Sequence, residues 1–166
     1  MNIYTAGHST GDLDAFVALM CDAGVEIVVD VRSKPRSRLP HFDRASLEPA
    51  FLTAGLRYRF LGDKLGGMPQ DRAMIDRWRQ GRLDPLIVAH LRTTETWHDG
   101  IDELSRLIAD GGGRAVCVIC SEAEPNECHR KAVALDVAQA IGDAAIVHLA
   151  VGKRVSQDVG LQEVAS

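Results

Sequence analysis

Short apolar runs alternate along this chain with longer segments whose apolar positions recur every three to four residues. Runs of four to six such residues bounded by turn residues are typical of buried strands, and the longer spacing is typical of helices that bury one face. The predicted strands cover residues 3–6, 26–31, 56–61, 115–120 and 145–149. Strands that alternate with helices indicate a mostly parallel sheet covered on both faces. We therefore predict an α/β fold, a single layered domain with about five strands flanked by helices.

The segments between the strands have helical spacing and recognisable ends. The predicted helices run from the cap Asp12 up to Gly24, over 46–54, with interruptions through 71–110, and over 131–141. The glycine-bearing segment 62–67 is predicted as a loop. The chain from Val151 onward has no clear period, so we predict one domain over residues 1–150 and a C-terminal tail over 151–166.

Composition is that of an ordinary globular protein. The 166 residues are 46% hydrophobic and 25% charged, enough for one substantial core. No apolar run approaches the ~20 residues of a membrane span, and the N-terminus lacks the features of a signal peptide. We therefore expect a cytoplasmic protein without a membrane partner, whose four cysteines are thiols or ligands rather than disulfides. Cys21 and Cys117 fall on predicted apolar positions and are expected in the core.

Charge is unevenly distributed. The formal net charge is −4, yet residues 30–82 contain twelve Lys/Arg against six Asp/Glu. Within that segment Arg32, Lys34, Arg36 and Arg38 alternate along one short loop, which we call the basic loop. It is interpreted either as a solvated, salt-bridged surface or as a local anion site.

Polar and reactive residues follow the predicted strands where those strands end. Parallel strands place their carboxyl ends at one edge, and ligands of open α/β sheets bind at that edge. The proposed substrate-binding residues there are Ser9, Asp30, Arg32, Arg36, Ser37, Arg38, Gly66, Gly67 and Arg130. The proposed catalytic residues are Cys120, Glu122, Cys128, His129 and His8. Lys64 and His148 are expected near the same edge.

The segment from Cys120 to Arg130 is the most informative part of this edge. Asn126 is predicted as the N-cap of the last helix, which would place Cys128, His129 and Arg130 in its first turn. Free backbone N–H groups and the helix macrodipole favour an anion there and lower the pKa of a thiol. Cys128 is therefore a candidate thiolate.

Other residues at this edge have two interpretations. Cys120 is either a nucleophile at the end of a strand or a small apolar filler. His8 is either an acid/base group or a loop histidine satisfied by its neighbours. Arg32 suits bidentate binding of an oxyanion, with Asp30 as the alternative partner that orients it.

The spacings do not match familiar site motifs. Neither Cys120 nor Cys128 has an arginine where a phosphatase-type Cys-x5-Arg or a rhodanese-type Cys-x4-Arg loop requires one, and glycine-rich phosphate motifs are absent. Cys120, Cys128 and His129, with His8, are possible metal ligands by residue type. Because consecutive helical residues point in different directions, we predict no metal site, and the cofactor stays unknown.

Several ordered blocks together resemble a known family. These are Gly7-His8-Ser9, Asp30-Val31-Arg32, Pro35-x-Ser37-Arg38, Leu65-Gly66-Gly67, Cys120-x-Glu122 and Cys128-His129-Arg130. The pattern, over residues 2–150, resembles the uncharacterised bacterial family called domain of unknown function 488. The resemblance implies a compact bacterial α/β domain whose marked residues cluster, and it implies no particular reaction.

These residues and motifs are compatible with three functions. The first is an enzyme, a Cys-dependent transferase or hydrolase, that binds a phosphate- or nucleotide-like anionic small molecule. The second is a nucleic-acid-associated binding or base-modifying module, in which residues 30–82 form the footprint and Tyr58, Phe60 or Trp78 stacks on bases. The third is a thiol redox or metal-sensing protein that uses Cys120 and Cys128. The sequence does not determine the oligomeric state.

Overall fold

The chain, described here by a computed structural model, forms a six-stranded sheet with helices on both faces. The structure describes residues 1–9, 11–80, 83–110, 112, 114–142 and 144–151, and the backbone of 156–158. The strands are β1 (Asn2–Gly7), β2 (Ile27–Asp30), β3 (Arg57–Phe60), β4 (Val116–Cys120), β5 (Ala145–Leu149) and β6 (Ser156–Asp158). Their order across the sheet is β3-β2-β4-β1-β5-β6.

The first five strands are all parallel, which confirms the predicted α/β class. Strand β6 pairs antiparallel with β5 at the edge of the sheet. It lies in the segment predicted as a tail without periodicity. The pattern did not indicate this strand, because three residues are too few to show a period. Its pairing partner, β5, has the bounds that the hydrophobic pattern predicts.

Seven α-helices occur in the described part of the chain. They are α1 (Leu13–Asp22), α2 (Arg44–Thr53), α3 (Gly62–Leu65), α4 (Arg72–Trp78), α5 (Pro85–Leu91), α6 (Glu95–Ala109) and α7 (Arg130–Ile141). The Asp12 carboxylate caps α1 by accepting the N–H of Ala15 at 3.0 Å, as predicted. The segment 62–67, predicted as a loop, contains the single helical turn α3. None of the helices described is both long and apolar enough to cross a bilayer.

The two faces of the sheet are covered by different helices. On one face, Phe16 of α1 and Phe51 of α2 belong to the same core as Val28 of β2. On the other face, residues of α3, α5, α6 and α7 pack with Val29 and Val118, which alternate with the first set along the strands. Right-handed crossovers place helices on opposite faces when the direction of strand addition reverses.

This reversal makes a crevice between β2 and β4. The two strands are neighbours, but the chain leaves β2 toward α2 on one face and leaves β4 toward α7 on the other. A crevice at such a switch point is where open α/β sheets bind ligands. The β1–β4 pair meets the same condition, but there the Glu122 carbonyl lies so close to Gly7 that a Cβ would overlap it. The β2–β4 crevice is therefore the one left open.

Candidate active site at the switch point

Four reactive side chains meet at this crevice, and we call them the thiol cluster: Cys120, Glu122, Cys128 and His129. Cys120 ends β4, and Cys128 and His129 directly precede α7. The Sγ atoms of Cys120 and Cys128 lie 3.2 and 3.1 Å from the same oxygen, Glu122 Oε2. Cys120 Sγ also lies 3.9 Å from His129 Nδ1. The sequence-predicted catalytic residues of this loop are thus brought together around one carboxylate.

The local structure before α7 differs from the prediction. Helix α7 begins at Arg130 with His129 in the N-cap position, whereas Asn126 lies in a separate 3-10 turn, Pro125–Glu127. The prediction of Asn126 as the N-cap was wrong, because Pro125 starts a turn of its own. Cys128 consequently has an extended backbone (φ −135°, ψ 134°) and lies outside the helix.

His129 is held in one orientation. Its Nε2 lies 2.9 Å from the carbonyl oxygen of Val31, just beyond β2. Because a carbonyl only accepts, Nε2 carries a proton and Nδ1 is the nitrogen available to the cysteines. Gly67 packs against the ring so closely that a Cβ would lie 2.6 Å from Nδ1.

Arg130 supports the loop of the cluster. It is 1% exposed, and its two Nη groups donate to the backbone carbonyl oxygens of Glu122 and Ala123. Two cavities open beside the cluster, and Arg130 lines neither of them. Arg130 therefore holds the backbone from which Glu122 projects, and its role in binding substrate stays a prediction.

The protons of the cluster are shared unequally. The hydrogen bond with Cys128, together with burial, raises the pKa of Cys120. Burial opposes ionisation of Cys128, but hydrogen bonds from Cys120 and His129 and the charges of His129 and Arg130 lower its pKa overall. Burial likewise opposes protonation of His129, and the adjacent Cys128 thiolate reverses this and raises the pKa of the imidazole. Burial raises the pKa of the Glu122 carboxyl, and Cys128 adds to the effect. Of the two thiols, Cys128 is therefore the one that ionises more readily.

Two adjoining cavities open beside the cluster. The first has a volume of about 200 Å³, and its lining includes Cys120, Glu122 and His129. The second has a volume of about 360 Å³, and Cys128 is part of its lining. Glu122, His129, Gly67 and Trp78 line both. The cluster therefore faces space in which a small molecule fits.

Asp30 and Arg32 form a buried ion pair. Asp30 is fully buried and Arg32 is 3% exposed. The Arg32 Nε and Nη2 atoms donate to the carboxylate at 2.9 and 2.6 Å, and Nη1 donates to the Phe42 carbonyl at 2.8 Å. The Tyr58 hydroxyl also donates a hydrogen bond to the Asp30 carboxylate, at 2.7 Å. Arg32 touches the first cavity, but its donors are engaged with the protein, which favours the interpretation that Asp30 orients it.

His8 and Ser9 tie the loop after β1 to its surroundings, and neither lines the two cavities. His8 stacks on Phe42 with ring centroids 4.2 Å apart, its Nδ1 donates to the Ser9 carbonyl, and Nε2 lies 3.3 Å from an Arg32 nitrogen. These contacts favour the interpretation of His8 as a satisfied loop histidine. Ser9 has a positive φ of 48°, and its N–H donates to the Ser121 carbonyl at 2.8 Å.

Protonation of His8 is expected to destabilise the fold. Burial lowers the pKa of His8 to about 4; Arg32 and His41 add to the lowering, while the bond to Ser9 and the Asp30 charge oppose it. An unfolded histidine titrates near pH 6.5, so the unfolded state binds more protons between pH 6.5 and about 4. Stability should therefore fall as pH falls through this window. Urea unfolding at several pH values should show a smaller fall for His8→Gln than for the wild type.

The slope, rather than the absolute stability, carries this prediction. His8→Gln also loses the stacking on Phe42, which lowers stability equally at every pH. His98→Gln, a change at an exposed histidine, is the control and should keep the wild-type slope. A His8→Gln protein that loses as much stability as the wild type between pH 6.5 and 4 would contradict the assignment of a neutral His8.

Three predicted anion-binding residues of the basic loop, Arg36, Ser37 and Arg38, line neither cavity. Arg36 and Arg38 are exposed and line neither cavity. Ser37 shapes the turn, because its Oγ accepts the N–H of Leu39 at 3.1 Å and its own N–H donates to Asp43 at 2.6 Å. The structure therefore does not bring the predicted anion-binding set together at one point.

The segment after β3 contributes shape to the site. A Cβ on Gly66 would overlap the hydroxyl of Ser33. That hydroxyl accepts a hydrogen bond from the backbone N–H of Met68 at 2.9 Å. Gly67 lines both cavities. Lys64, expected at the same edge, instead pairs with Glu103 at 2.8 Å on the surface.

Sequence reasoning did not place Lys34 or Trp78 beside the cysteines. Lys34 is exposed and lines the first cavity, whereas Trp78 is 41% exposed and lines both. Trp78 is the last residue of α4, and no residue of that helix is buried. The pattern of apolar positions in α4 therefore did not indicate that Trp78 lies beside a cavity. A cation and an exposed indole therefore lie at the edge of the thiol cluster.

Two cysteines and one histidine lie outside the site. Cys117 is buried as predicted, but Cys21 is exposed, because α1 buries the stripe around Phe16 and the prediction of a core Cys21 was wrong. His148 does not reach the cavities; its Nδ1 lies 2.6 Å from the Thr5 hydroxyl inside the sheet.

Five of the twelve Lys/Arg residues of segment 30–82 form ion pairs within the described part of the chain. The ion pairs are Arg32–Asp30, Arg44–Glu48, Lys64–Glu103, Arg77–Asp84 and Arg79–Asp76. Most of these pairs lie on the surface, where each contributes little to stability. Binding of a nucleic acid through this segment stays a prediction.

The fold and the cluster define a class: a parallel α/β protein with thiol, imidazole and carboxylate groups gathered at the switch point of its sheet. The sequence profile of the family described as Domain of unknown function DUF488 matches residues 12–135. The chain belongs to this family, which confirms the resemblance seen in its ordered motifs. Searches of curated proteins and of solved structures found no match to the chain.

Proposed function

We propose that the protein is an enzyme that binds a phosphate- or nucleotide-like anion at the β2–β4 crevice and transforms it at the thiol cluster. The observation that carries the proposal is the convergence of Cys120, Glu122, Cys128 and His129 on adjoining cavities. Ionisable groups with perturbed environments that line a concave site are typical of catalytic centres. A core that needed only to be filled would use apolar side chains here.

Lys34 and Trp78 support an anionic, ring-bearing substrate. Lys34 is a cation at the first cavity, and Trp78 presents an exposed indole that lines both cavities. A phosphate group near Lys34 and a planar ring against Trp78 describe a nucleotide-like molecule. The second cavity, at about 360 Å³, has the volume of a small-molecule site, and the first adds about 200 Å³ beside it.

Glu122 is the proton-transfer group in this proposal. Its Oε2 lies within 3.2 Å of both sulfur atoms, so it can exchange a proton with either of them. The reaction class is group transfer or hydrolysis, in which the sulfur atoms act as nucleophile or as ligands. Thiols in such a role require reducing surroundings, so we also propose a cytoplasmic location, which suits the four free cysteines.

We expect Lys34→Ala to weaken the binding of anions selectively. Loss of a hydrogen bond to a charged group costs about 1.5–3 kcal/mol, which is roughly a ten- to hundredfold loss of affinity. Calorimetric titration with inorganic phosphate, nucleoside monophosphates and the matching nucleosides should show that loss only for the phosphate-bearing ligands.

Two variants sharpen this test. Arg36→Ala removes an exposed cation of the same loop that lines neither cavity, so it should bind every ligand as the wild type does. Trp78→Ala should weaken nucleosides and nucleotides alike, because both present a ring to the indole. The proposal fails if the wild type binds neither phosphate nor any nucleotide saturably, or if Arg36→Ala has the effect expected of Lys34→Ala.

A further inference from the structure

We propose that the thiol cluster is a zinc site, with Cys120, Cys128 and His129 as ligands and Glu122 as the proton-transfer group beside the ion. The inference rests on the proposed function, because it names the cofactor of the same site. Binding of an anion at Lys34 does not define the role of the two thiols and the imidazole. The zinc site assigns them a role.

The three donor atoms lie close enough together to share one ion. The two Sγ atoms and His129 Nδ1 all lie within 4.8 Å of one another, and the Cys120 Sγ to Nδ1 distance is 3.9 Å. Zinc bonds of about 2.3 Å to sulfur and 2.0–2.1 Å to nitrogen require donor separations of roughly 3.5–3.8 Å. Movements of about 1 Å, within the range of small side-chain rotations, would therefore complete the coordination.

The chemistry of the donors selects the ion. Thiolate and imidazole ligands suit zinc, whereas magnesium and calcium require oxygen ligands. The outer nitrogen of His129 donates to the Val31 carbonyl at 2.9 Å, which is the support that metal-bound histidines commonly have. Two thiolates also balance the double positive charge of the ion, so the buried centre is neutral.

The backbone removes the objection to using consecutive residues as ligands. In a continuous helix, Cys128 and His129 would point about 100° apart. Here Cys128 is extended, at φ −135° and ψ 134°, and His129 has φ −60° and ψ −19° as the chain enters α7. This change of conformation between them turns both side chains toward Cys120.

The described residues supply three ligands, which leaves one coordination position for a non-protein ligand, as in a catalytic zinc site. Three protein ligands and one open position are typical of catalytic zinc, whereas structural zinc has four protein ligands. Cys120 and His129 line the first cavity, so the fourth position is accessible to water and substrate from there. Glu122 lies beside both sulfur atoms, which places its carboxylate next to a water bound at that position.

The reaction class that follows is hydrolysis. Glu122 takes one proton from the bound water, and the oxygen uses the freed electron pair to form a bond to the electrophilic atom of the substrate. The bond from that atom to the leaving group then breaks, and the leaving group takes the electron pair and the proton held by Glu122. The net change adds one water molecule across one bond, without an oxidant or a reductant.

The first experiment measures zinc in the full-length protein. After exposure to zinc and dialysis against metal-free buffer, elemental analysis should find one ion per chain. Cobalt loading of the wild type should produce the thiolate-to-cobalt charge-transfer absorption and the intense visible bands of a tetrahedral site. The cobalt spectrum needs no variant, so it tests the proposal even if ligand variants fold poorly.

Variants then assign the ligands. Cys120→Ser, Cys128→Ser and His129→Gln should each lose more zinc affinity than the roughly 10–100-fold that loss of an outer-shell partner costs. Cys21→Ser is the matched control, because Cys21 is exposed on α1, and it should keep one zinc per chain. Glu122→Gln should also keep the ion.

Gly67→Ala tests the geometry without removing a ligand. A Cβ at this position would lie 2.6 Å from His129 Nδ1 and would force the ring to move. We expect zinc affinity to fall by about 10–100-fold, as for a lost outer-shell contact. Wild-type affinity in Gly67→Ala would contradict His129 as a ligand.

The outcomes separate the metal site from the proposed function. Absence of stoichiometric zinc and of a cobalt–thiolate spectrum would overturn the zinc site, while anion binding that depends on Lys34 would keep the proposed function. A zinc site that forms in a protein without anion binding would overturn the proposed function instead.

Loss of zinc in Glu122→Gln as severe as in Cys128→Ser would show a closed four-ligand site and overturn the catalytic assignment. Mild oxidation that removes two thiols per chain even with zinc present would favour a Cys120–Cys128 disulfide over the zinc site.

Discussion

Arg32→Ala is expected to lower the free energy of unfolding by about 3–5 kcal/mol, the usual cost of removing one partner of a buried ion pair. The Asp30 carboxylate is fully buried, and without the guanidinium its remaining donors among the described residues would be the Tyr58 hydroxyl and the Arg32 backbone N–H. The variant also loses the bond from Arg32 to the Phe42 carbonyl. The expected loss is therefore thermodynamic, and it would occur whether or not Arg32 ever contacts a substrate.

Urea unfolding measures this loss directly. Arg36→Ala, which removes an exposed arginine from the same loop, should stay within about 0.5 kcal/mol of the wild type. Arg32→Lys should recover only part of the stability, because an ammonium cannot match the two-sided contact of a guanidinium with the carboxylate. A loss below about 1 kcal/mol for Arg32→Ala would mean that Asp30 finds other partners or takes up a proton.

Gly7→Ala is expected to cost about 3 kcal/mol, the upper end of what overpacking usually costs. The added methyl group would overlap the Glu122 carbonyl oxygen, a backbone atom that cannot rotate away. The strand on one side is β1, inside the sheet, and the loop on the other side is held by Arg130. Relief therefore requires the loop carrying Glu122 to move.

The effect of Gly7→Ala should extend to the site. Unfolding experiments give the stability, and zinc and phosphate titrations report the displacement of Glu122 and its neighbours. Gly24→Ala is the comparison, because no heavy atom of the described residues beyond its chain neighbours lies within 4 Å of a Cβ there, and its positive φ of 70° costs about 1–2 kcal/mol in strain. If Gly7→Ala is no less stable than Gly24→Ala, the close packing between β1 and the loop after β4 is wrong.

Local pattern predicted most of the fold. The bounds of β5 agree with the apolar run, and Asp12 caps α1, because a short apolar run and an N-cap both depend on neighbouring residues. The start of α7 was mispredicted for a local reason as well: Pro125 starts its own turn, so Asn126 lies before the helix rather than at its cap. Strand β6 escaped prediction because three residues carry too little periodicity.

The sequence by itself determined that the loops after the parallel strands meet at one edge of the sheet, since the carboxyl ends of parallel strands all lie on one side. It also placed Cys120, Glu122, Cys128 and His129 in one loop. Only the tertiary structure decided what these residues contact. His129 is fixed by the Val31 carbonyl, 98 positions away, and Gly67 packs against its ring. The Phe42 carbonyl and the Tyr58 hydroxyl, 10 and 28 positions from the residues they bind, complete the buried Asp30–Arg32 pair, whereas Lys34 is exposed and lines the cavity. Hydrogen-bond partners distant in sequence determine whether a charge is buried or available, and no local pattern encodes those partners.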